Sequence, residues 1–502
     1  MNYQIGLTRS PYLKSSGWLV LVGACLLAVV GALLISVLPA LMVIVLIVAP
    51  LVLLFIWLKP EFSLVVLFAT IFGALPLPSL PLGGGTLRAE DLGIPFFLAI
   101  LLIKRYGEIR RRFAVISPYF MTLSLLGVAV IFSIFYSYFL GRQPIKDILN
   151  ELRPYYYWCL IMVLPLAIND EKALPRFRAM VFWLAILLAI AVSAQSFFGI
   201  QLLQRGGFRQ VITMDRVATG VIRSTTPGMY LLAGALIYLV AAYSMGARIN
   251  KARMVVGAAA LSVGLLVGFG RALWLSVALG ILMLAIFSKS YRYFAFLITA
   301  IGCAVVVISI LVTVRPGYID AAERRLMSVG EEISYGGSFG RRKLEFFYAA
   351  SAISRNPIFG VGLGSSYKPP TSDSSWWDVE TRYIHNSYLS VLTKLGVFGL
   401  FPFLMFLFVA IRRGIRVFSS AGYDRPLVYA ALWVILSVST VTSITQPDLV
   451  SPHGVAVICL VVFLIETAGR SGSSRLNGVV DAENSSNFRV QPYRLKAPCK
   501  II

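Results

Sequence analysis

The chain has 502 residues, of which 58% are hydrophobic and only 13% are charged. Soluble domains carry about 25% charged residues, so this composition excludes an ordinary soluble protein. It also excludes disordered, collagen-like and disulfide-stapled chains. Continuous apolar runs replace the short alternating strands that an outer-membrane barrel needs. The sequence therefore predicts an all-α polytopic integral membrane protein.

The chain is strongly basic, with 45 Lys and Arg against 22 Asp and Glu and a net charge of +23. Nucleic acid binding is one interpretation of this surplus, but most of the basic residues flank apolar runs. Retention of Lys and Arg on the cytoplasmic side of a membrane accounts for that placement. We therefore expect membrane lipids, and no nucleic acid, among the partners. The cysteines lie within apolar runs or in the tail, which predicts neither a disulfide nor a metal site.

Fourteen apolar runs approach the length of about 20 residues that a helix needs to cross a bilayer. They are residues 18–38, 40–58, 62–80, 92–104, 119–140, 155–168, 179–200, 228–245, 254–269, 272–288, 293–314, 386–411, 427–446 and 454–469. Two are short, so we expect about 12 to 14 transmembrane helices. Every second connection is basic, for example at Arg110, Lys172 and Arg412, which predicts that both termini are cytoplasmic.

Two segments on the predicted external side depart from this charge pattern. Residues 201–227 contain four arginines, and residues 315–385 form an insert far longer than the other external connections. Within that insert, residues 341–354 have the pattern of an amphipathic helix, and Asn356-Pro357 should end it. The predicted organisation is listed by residue range: N-terminal transmembrane helices 1–200, central transmembrane helices 201–314 with the arginine-rich external loop, a large periplasmic loop 315–385 with short helices, C-terminal transmembrane helices 386–469, and a disordered cytoplasmic tail 470–502.

External arginines form the first candidate site. They are Arg216 and Arg223 before the run at 228, Arg271 at the start of the run at 272, and Arg341 and Arg342 in the large loop. A guanidinium group binds phosphate oxygens through a planar fork and keeps its charge, so converging arginines would hold a pyrophosphate. The alternative is that single arginines reach lipid phosphates at the membrane surface.

His385 marks the second candidate site, at the junction of the large loop and the next apolar run. It is one of only 2 histidines in the chain, and a helix start favours the neutral imidazole that can accept a proton. Its neighbours Arg382, Asn386 and Tyr388 are predicted to support it. The alternative is that His385 only caps the helix. The other histidine, His453, lies in a turn-forming sequence.

Three motifs together resemble a known family. They are similar to the signature region of the O-antigen ligase and polysaccharide polymerase superfamily. The three motifs are an Arg-x-x-x-Glu pattern before a helix, the segment NPIFGVGLG (356–364) and the segment HNSYLSVLTKLGVFGL (385–400). The glycines at 356–364 are a weak dinucleotide fingerprint, since no strand surrounds them; a tight turn fits better. Gly270-Arg271 and Arg223-Ser-Thr-Thr-Pro resemble further arginine motifs of that family. Lys394 departs from it, because the family often has Glu there.

The resemblance implies a bacterial inner-membrane glycosyltransferase. Members take a glycan from undecaprenyl pyrophosphate on the periplasmic side and pass it to another repeat, as polymerases do, or to lipid A core, as ligases do. It implies that Arg223 and Arg271 hold the pyrophosphate and that His385 contacts the acceptor or acts as base. We expect no cofactor and metal-independent chemistry, with arginines stabilising the leaving group.

The extra spans and the tail favour a polymerase of exopolysaccharide or O-antigen repeats, and an O-antigen ligase is the alternative. A flippase and a chain-length regulator are expected partners beside the donor and the acceptor glycan. The competing class is a lipid-linked glycan flippase or polysaccharide transporter. That class places ionisable groups at mid-membrane, whereas Lys394 is the only clearly interior charge, with Glu466 near one end. A structural scaffold has no reason to gather external arginines.

Overall fold

The computed structural model describes residues 54–75, 79–82, 85–168, 172–203, 205–212, 218–247, 250–288, 338–369 and 381–485, together with Tyr293, Gly317 and Glu323. The predicted span 18–38, most of the spans 40–58 and 293–314, and Arg216 lie outside these residues. The chain forms two compact units, Met1–Ser63 and Leu64–Ile502. Residues 54–63 are the described part of the first unit.

The described chain is mainly helical. Its first part contains α1 (Pro60–Ile71), β1 (Ser79–Leu82), β2 (Gly85–Arg88), α2 (Ala89–Lys104), α3 (Ile109–Phe113), α4 (Ser117–Phe135), α5 (Ile145–Tyr156), α6 (Leu160–Ala167) and α7 (Ala173–Phe198). The rest contains β3 (Phe208–Ile212), β4 (Ala218–Ser224), α8 (Met229–Ser244), α9 (Lys251–Leu266), α10 (Arg271–Ser288), α11 (Ser338–Arg355), α12 (Ser387–Ser420), α13 (Arg425–Leu436) and α14 (Pro452–Ser485). Short π-helical segments, Tyr136–Leu140 and Ser437–Thr442, extend α4 and α13.

Several helices are long and apolar enough to cross a membrane. Within the described ranges, five helical segments meet this test: Ser117–Leu140, Ala173–Phe198, Ser387–Ser420, Gly422–Thr442 and Pro452–Arg470. Shorter apolar helices occupy Pro60–Ile71, Met229–Ser244 and Arg271–Ile286. The predicted helical multi-pass membrane protein is thereby confirmed, while the total of about 12 to 14 spans stays a prediction.

Local sequence explains where the helices differ from the predicted spans. In the span predicted at 62–80, the helix ends at Ile71, and the β1–β2 hairpin follows it. The sequence of residues 76–85, PLPSLPLGGG, is rich in proline and glycine, which end helices. The span expected at 155–168 is divided between α5 and α6 by a 3₁₀ turn, Tyr157–Cys159. The second hairpin, β3–β4, was likewise not predicted. α14 continues past Arg470 to Ser485.

Helices α10 and α13 are antiparallel neighbours. The Tyr429 hydroxyl donates to the carbonyl of Gly280 at 2.7 Å, and Trp433 Nε1 donates to the carbonyl of Ser276 at 2.9 Å. A Cβ on Gly280 would lie 2.4 Å from Trp433 Nε1, so glycine permits this close approach. The two helices run in opposite directions, so higher residue numbers in α13 lie beside lower residue numbers in α10. Arg271, at the start of α10, therefore lies beside the residues that follow α13.

The residues after α13 also contact the start of α12. The backbone N–H of Ser387 donates to the carbonyl of Ser443 at 2.8 Å. Three segments therefore meet at one end of the helices: the first residues of α10, the residues before α12 and the connection between α13 and α14. We call it the His385 end.

The basic connections lie at the opposite end. Arg178 near the start of α7 donates to the Asp424 carboxylate at 3.1 Å, just after α12. Arg413 near the end of α12 pairs with Glu466 on α14, with 2.6 Å between Nη2 and Oε2. Segregation of basic residues at one end of spanning helices is the pattern expected of a membrane protein.

A kink in α12 is filled by the glycine-rich segment 356–364. Gly396 has φ 64° and ψ −165° within α12, a conformation that favours glycine. The carbonyls of Pro357 and Ile358 accept hydrogen bonds from Val397 and Phe398, each at 3.0 Å. The segment therefore docks its backbone against the helix, as a tight turn and not as a nucleotide loop.

Candidate functional site

The half-buried His385 and the buried Glu345 form a pair at the end of the helices. His385 Nδ1 lies 2.8 Å from Glu345 Oε1 and 3.0 Å from Oε2, and the His385 backbone N–H donates to Oε2 at 3.1 Å. The Glu345 side chain is 8% exposed and the His385 side chain 21%. The carboxylate thus holds both the ring and the backbone of the histidine, and one side of the ring remains accessible.

Helix α11 brings Glu345 to this position. Ala349 and Ala352 lie four and seven residues after Glu345, on the same face of the helix. Both are buried in a cluster with Tyr367 and Ile384. Ile384 immediately precedes His385, so packing of the amphipathic helix fixes the carboxylate beside the imidazole.

Helix capping is performed by Asn386 and not by His385. The Asn386 side-chain oxygen accepts from the backbone N–H of Leu389 at 2.9 Å, and its amide donates to the carbonyl of Ile444 at 3.2 Å. The alternative role of His385 as the cap is therefore wrong. Tyr388, the next supporting residue predicted, donates its hydroxyl to the carbonyl of Ser439. Both neighbours tie the start of α12 to the connection after α13.

The hydrogen bonds indicate which ring nitrogen of His385 carries the proton. An ionised carboxylate only accepts hydrogen bonds, so the pairing with Glu345 assigns the proton of a neutral ring to Nδ1. Nε2 then carries the lone pair, and no hydrogen-bond partner for it exists among the residues that the structure describes. A histidine oriented by a buried carboxylate, with Nε2 available, is the arrangement of a general base.

Tyr383 borders the pair. Its ring lies edge-on to the His385 ring with 4.8 Å between centroids, and its carbonyl accepts from the Tyr367 hydroxyl at 2.9 Å. Burial raises the pKa of Tyr383, the nearby Asp448 and Glu345 carboxylates raise it further, and Arg342 opposes them. Tyr383 is therefore a neutral phenol, and the predicted site residue Arg342 lies within electrostatic range of it.

Arg223 and Arg271 are brought to a single turn. Arg223 on β4 donates from Nε to the carbonyl of Gly268 at 2.9 Å, and Ser224 donates its backbone N–H to the carbonyl of Val267 at 3.2 Å. Arg271, the first residue of α10, follows this turn. The strand and the turn place both arginines at the His385 end.

Hydrogen bonds also connect the start of α8 and the start of α12 to the segment before α14. Tyr230, in the first turn of α8 after β4, donates its hydroxyl to Asp448. In the same connection, Leu449 donates its backbone N–H to the Ser387 hydroxyl, which in turn donates to the carbonyl of Gln446, both at 3.2 Å. The arginine turn and the His385–Glu345 pair therefore lie at the same end of the helices.

Two other basic groups near this end of the helices are bound to carboxylates. The predicted supporting residue Arg382 donates to Asp147 at 2.9 Å and so ties the segment before His385 to α5. Arg205 pairs with Glu90.

His453 contacts the hydroxyl of Ser451, 3.2 Å away in its own turn. The Arg341 side chain lies outside what the structure describes, as does Arg216.

Lys394 is an interior charge with a partner. Its Nζ lies 2.6 Å from Glu151 Oε1 on α5 and also donates to the carbonyl of Ser365. Glu151 Oε2 accepts the backbone N–H of Gly364 at 2.6 Å. The lysine that departs from the family motif therefore joins α5, the glycine-rich segment and the kink of α12.

Sequence reasoning missed Glu345 as a site residue. The available signal was the Arg-x-x-x-Glu pattern, in which Glu345 follows Arg341 by four residues. Within the described ranges, no three His, Cys, Asp or Glu side chains come together as a metal site requires, and metal-independent chemistry stays a prediction.

Comparison with known families agrees with the motifs. Residues 256–404 match a family model described as O-antigen ligase, and no curated protein matches the chain. The matched region contains Arg271, Glu345, His385 and Lys394, whereas Arg223 precedes it. This match supports the assignment of residues 256–404 to the O-antigen ligase-like superfamily.

Proposed function

We propose that the protein is an inner-membrane glycosyltransferase that polymerises exopolysaccharide or O-antigen repeats from an undecaprenyl-pyrophosphate-linked donor. The family match supports glycosyl transfer of the O-antigen ligase or polymerase type in general. The single observation that supports the proposal is the His385–Glu345 pair, at the same end of the helices as the turn that Arg223 contacts.

In the proposed reaction, a hydroxyl of the acceptor glycan attacks the anomeric carbon of the donor glycan. The new C–O bond forms as the bond between that carbon and the pyrophosphate oxygen breaks. The hydroxyl proton passes to His385 Nε2, and Glu345 stabilises the imidazolium that forms. The departing undecaprenyl pyrophosphate takes the electron pair of the broken bond.

Arg223 and Arg271 are proposed to bind that pyrophosphate. Preorganised guanidinium groups stabilise the negative charge that develops on a leaving group, which is the usual route to a lower barrier in such sites. Arg342 is proposed to assist, because it already lies within electrostatic range of Tyr383 beside the histidine.

Product analysis tests the function. Purified protein in vesicles with the undecaprenyl-linked repeat as its only glycan should yield a ladder of lengthened lipid-linked chains. A ligase would leave the donor unchanged until lipid A core is added, and then produce a single transfer. Movement of the donor across the vesicle membrane, with no new glycosidic bond, would instead indicate a flippase.

The His385 end is proposed to face the periplasm, with both termini cytoplasmic, because the basic connections lie at the opposite end. In a cysteine-free background, Arg355→Cys should react with a membrane-impermeant maleimide in intact spheroplasts, and Arg110→Cys should react only after lysis. Both positions are exposed. The reverse labelling pattern would reject the orientation.

Arg271→Lys should reduce transfer by about tenfold to a hundredfold, although the charge is conserved. Lysine supplies a single ammonium in place of the planar fork that matches two phosphate oxygens. Polymer yield per mole of purified enzyme is the measurement, with the exposed Arg142→Lys as the matched control. Equal activity of Arg271→Lys, Arg271→Ala and wild type would exclude this role.

A further inference from the structure

A polar cavity lies at the end of the helices opposite His385. Its volume is about 420 Å³, and it lies between the beginning of α4, the last turns of α12 and the middle of α14. The residues of its lining that matter for binding are Arg413, Arg416, Arg470, Glu466, Ser117 and Ser420. None of them takes part in the proposed transfer site.

Arginines outnumber carboxylates in this cavity. Glu466 is buried, and it accepts hydrogen bonds from the Tyr119 hydroxyl at 2.8 Å and from Arg413 at 2.9 and 2.6 Å. Arg413 and Glu466 thus neutralise each other. Arg416 and Arg470 are exposed and leave the cavity with an excess of positive charge.

The surroundings distinguish a lipid ligand from a soluble one. Phe120 and Met121 follow Ser117 by three and four residues, so they lie below it on the same face of α4. They are 60% and 69% exposed, and α4 is one of the helices long and apolar enough to span a membrane. An anion bound by the arginines would therefore have apolar side chains directly beside it.

We propose that this cavity binds the phosphate group of an anionic membrane lipid, with the acyl chains lying along the exposed face of α4. Guanidinium groups bind phosphate oxygens in paired hydrogen bonds. Basic pockets between transmembrane helices at one side of a membrane are suited to such headgroups. Free phosphate has the same chemistry but gains nothing from Phe120 and Met121.

Lipid binding to the full-length protein in detergent tests the proposal, measured by native mass spectrometry. Phosphatidylglycerol should bind, and phosphatidylcholine with the same acyl chains should bind much less. The double variant Arg416→Gln/Arg470→Gln should lose affinity for phosphatidylglycerol by about tenfold or more, since both basic contacts are removed. The control is Arg412→Gln, an exposed arginine on the same helix that does not line the cavity, and it should bind like wild type.

Each contrary outcome overturns the proposal. Equal binding of the two lipids, or unchanged binding by the folded double variant, would show that the cavity is not the site. Displacement of phosphatidylglycerol by inorganic phosphate at equal concentration would assign the cavity to a soluble anion. A melting temperature like that of wild type establishes that the double variant is folded.

Discussion

Replacing His385 by asparagine should lower the rate of glycan transfer by about 10² to 10⁴, the usual contribution of a general base. The asparagine amide nitrogen can take the place of Nδ1 and donate to Glu345, so the contact that orients the residue is kept. Nothing then takes the place of Nε2, which would accept the proton of the acceptor hydroxyl. Initial rates with purified enzyme and saturating donor measure the loss.

The chain supplies a matched control for this change. His453 is its other histidine, and it contacts Ser451 within a local turn, so His453→Asn should transfer glycan at nearly the wild-type rate. Donor binding should be unchanged in both variants, because the pyrophosphate is assigned to the arginines. A wild-type rate from His385→Asn would show that another group accepts the proton.

Local sequence predicted the parts of the site that are adjacent in the chain. Short patterns of apolar, capping and breaking residues predict the helix that begins after Asn386, the amphipathic helix at 341–354 and the position of Arg271 at the start of a helix. His385 was identified because it lies where a loop meets such a helix. These features depend on a few neighbouring residues, which the sequence displays directly.

Contacts between distant residues could not be predicted in the same way. Lys394 is separated by 243 residues from Glu151, and the glycine-rich segment 356–364 connects the two, because it bonds both to the kink of α12 and to Glu151. Glu345 is 40 residues from His385, so the Arg-x-x-x-Glu pattern gives the glutamate but not its partner. A single sequence specifies which residues are polar, whereas helix packing decides which of them meet.

Glu345→Gln should reduce transfer by a factor in the same range, about 10² to 10⁴, although the side chain keeps its size. The glutamine amide can donate a hydrogen bond to Nδ1, which moves the ring proton to Nε2. The outward nitrogen then points an N–H at the acceptor and cannot take its proton. The loss should appear in kcat, while the apparent KM for the donor stays near its wild-type value.

Two further variants separate this positioning role from a purely structural one. Lys343→Gln changes an exposed residue of the same helix and should leave transfer unaffected. The double variant His385→Asn/Glu345→Gln should be no slower than the slower single variant, because residues that act as one unit do not lose activity additively. Multiplied losses in the double variant, or a normal kcat for folded Glu345→Gln, would show that the carboxylate acts independently of the histidine. A lowered melting temperature with unchanged kcat would assign Glu345 to packing alone, since an unsatisfied buried group costs about 1–3 kcal/mol of stability without touching the chemistry.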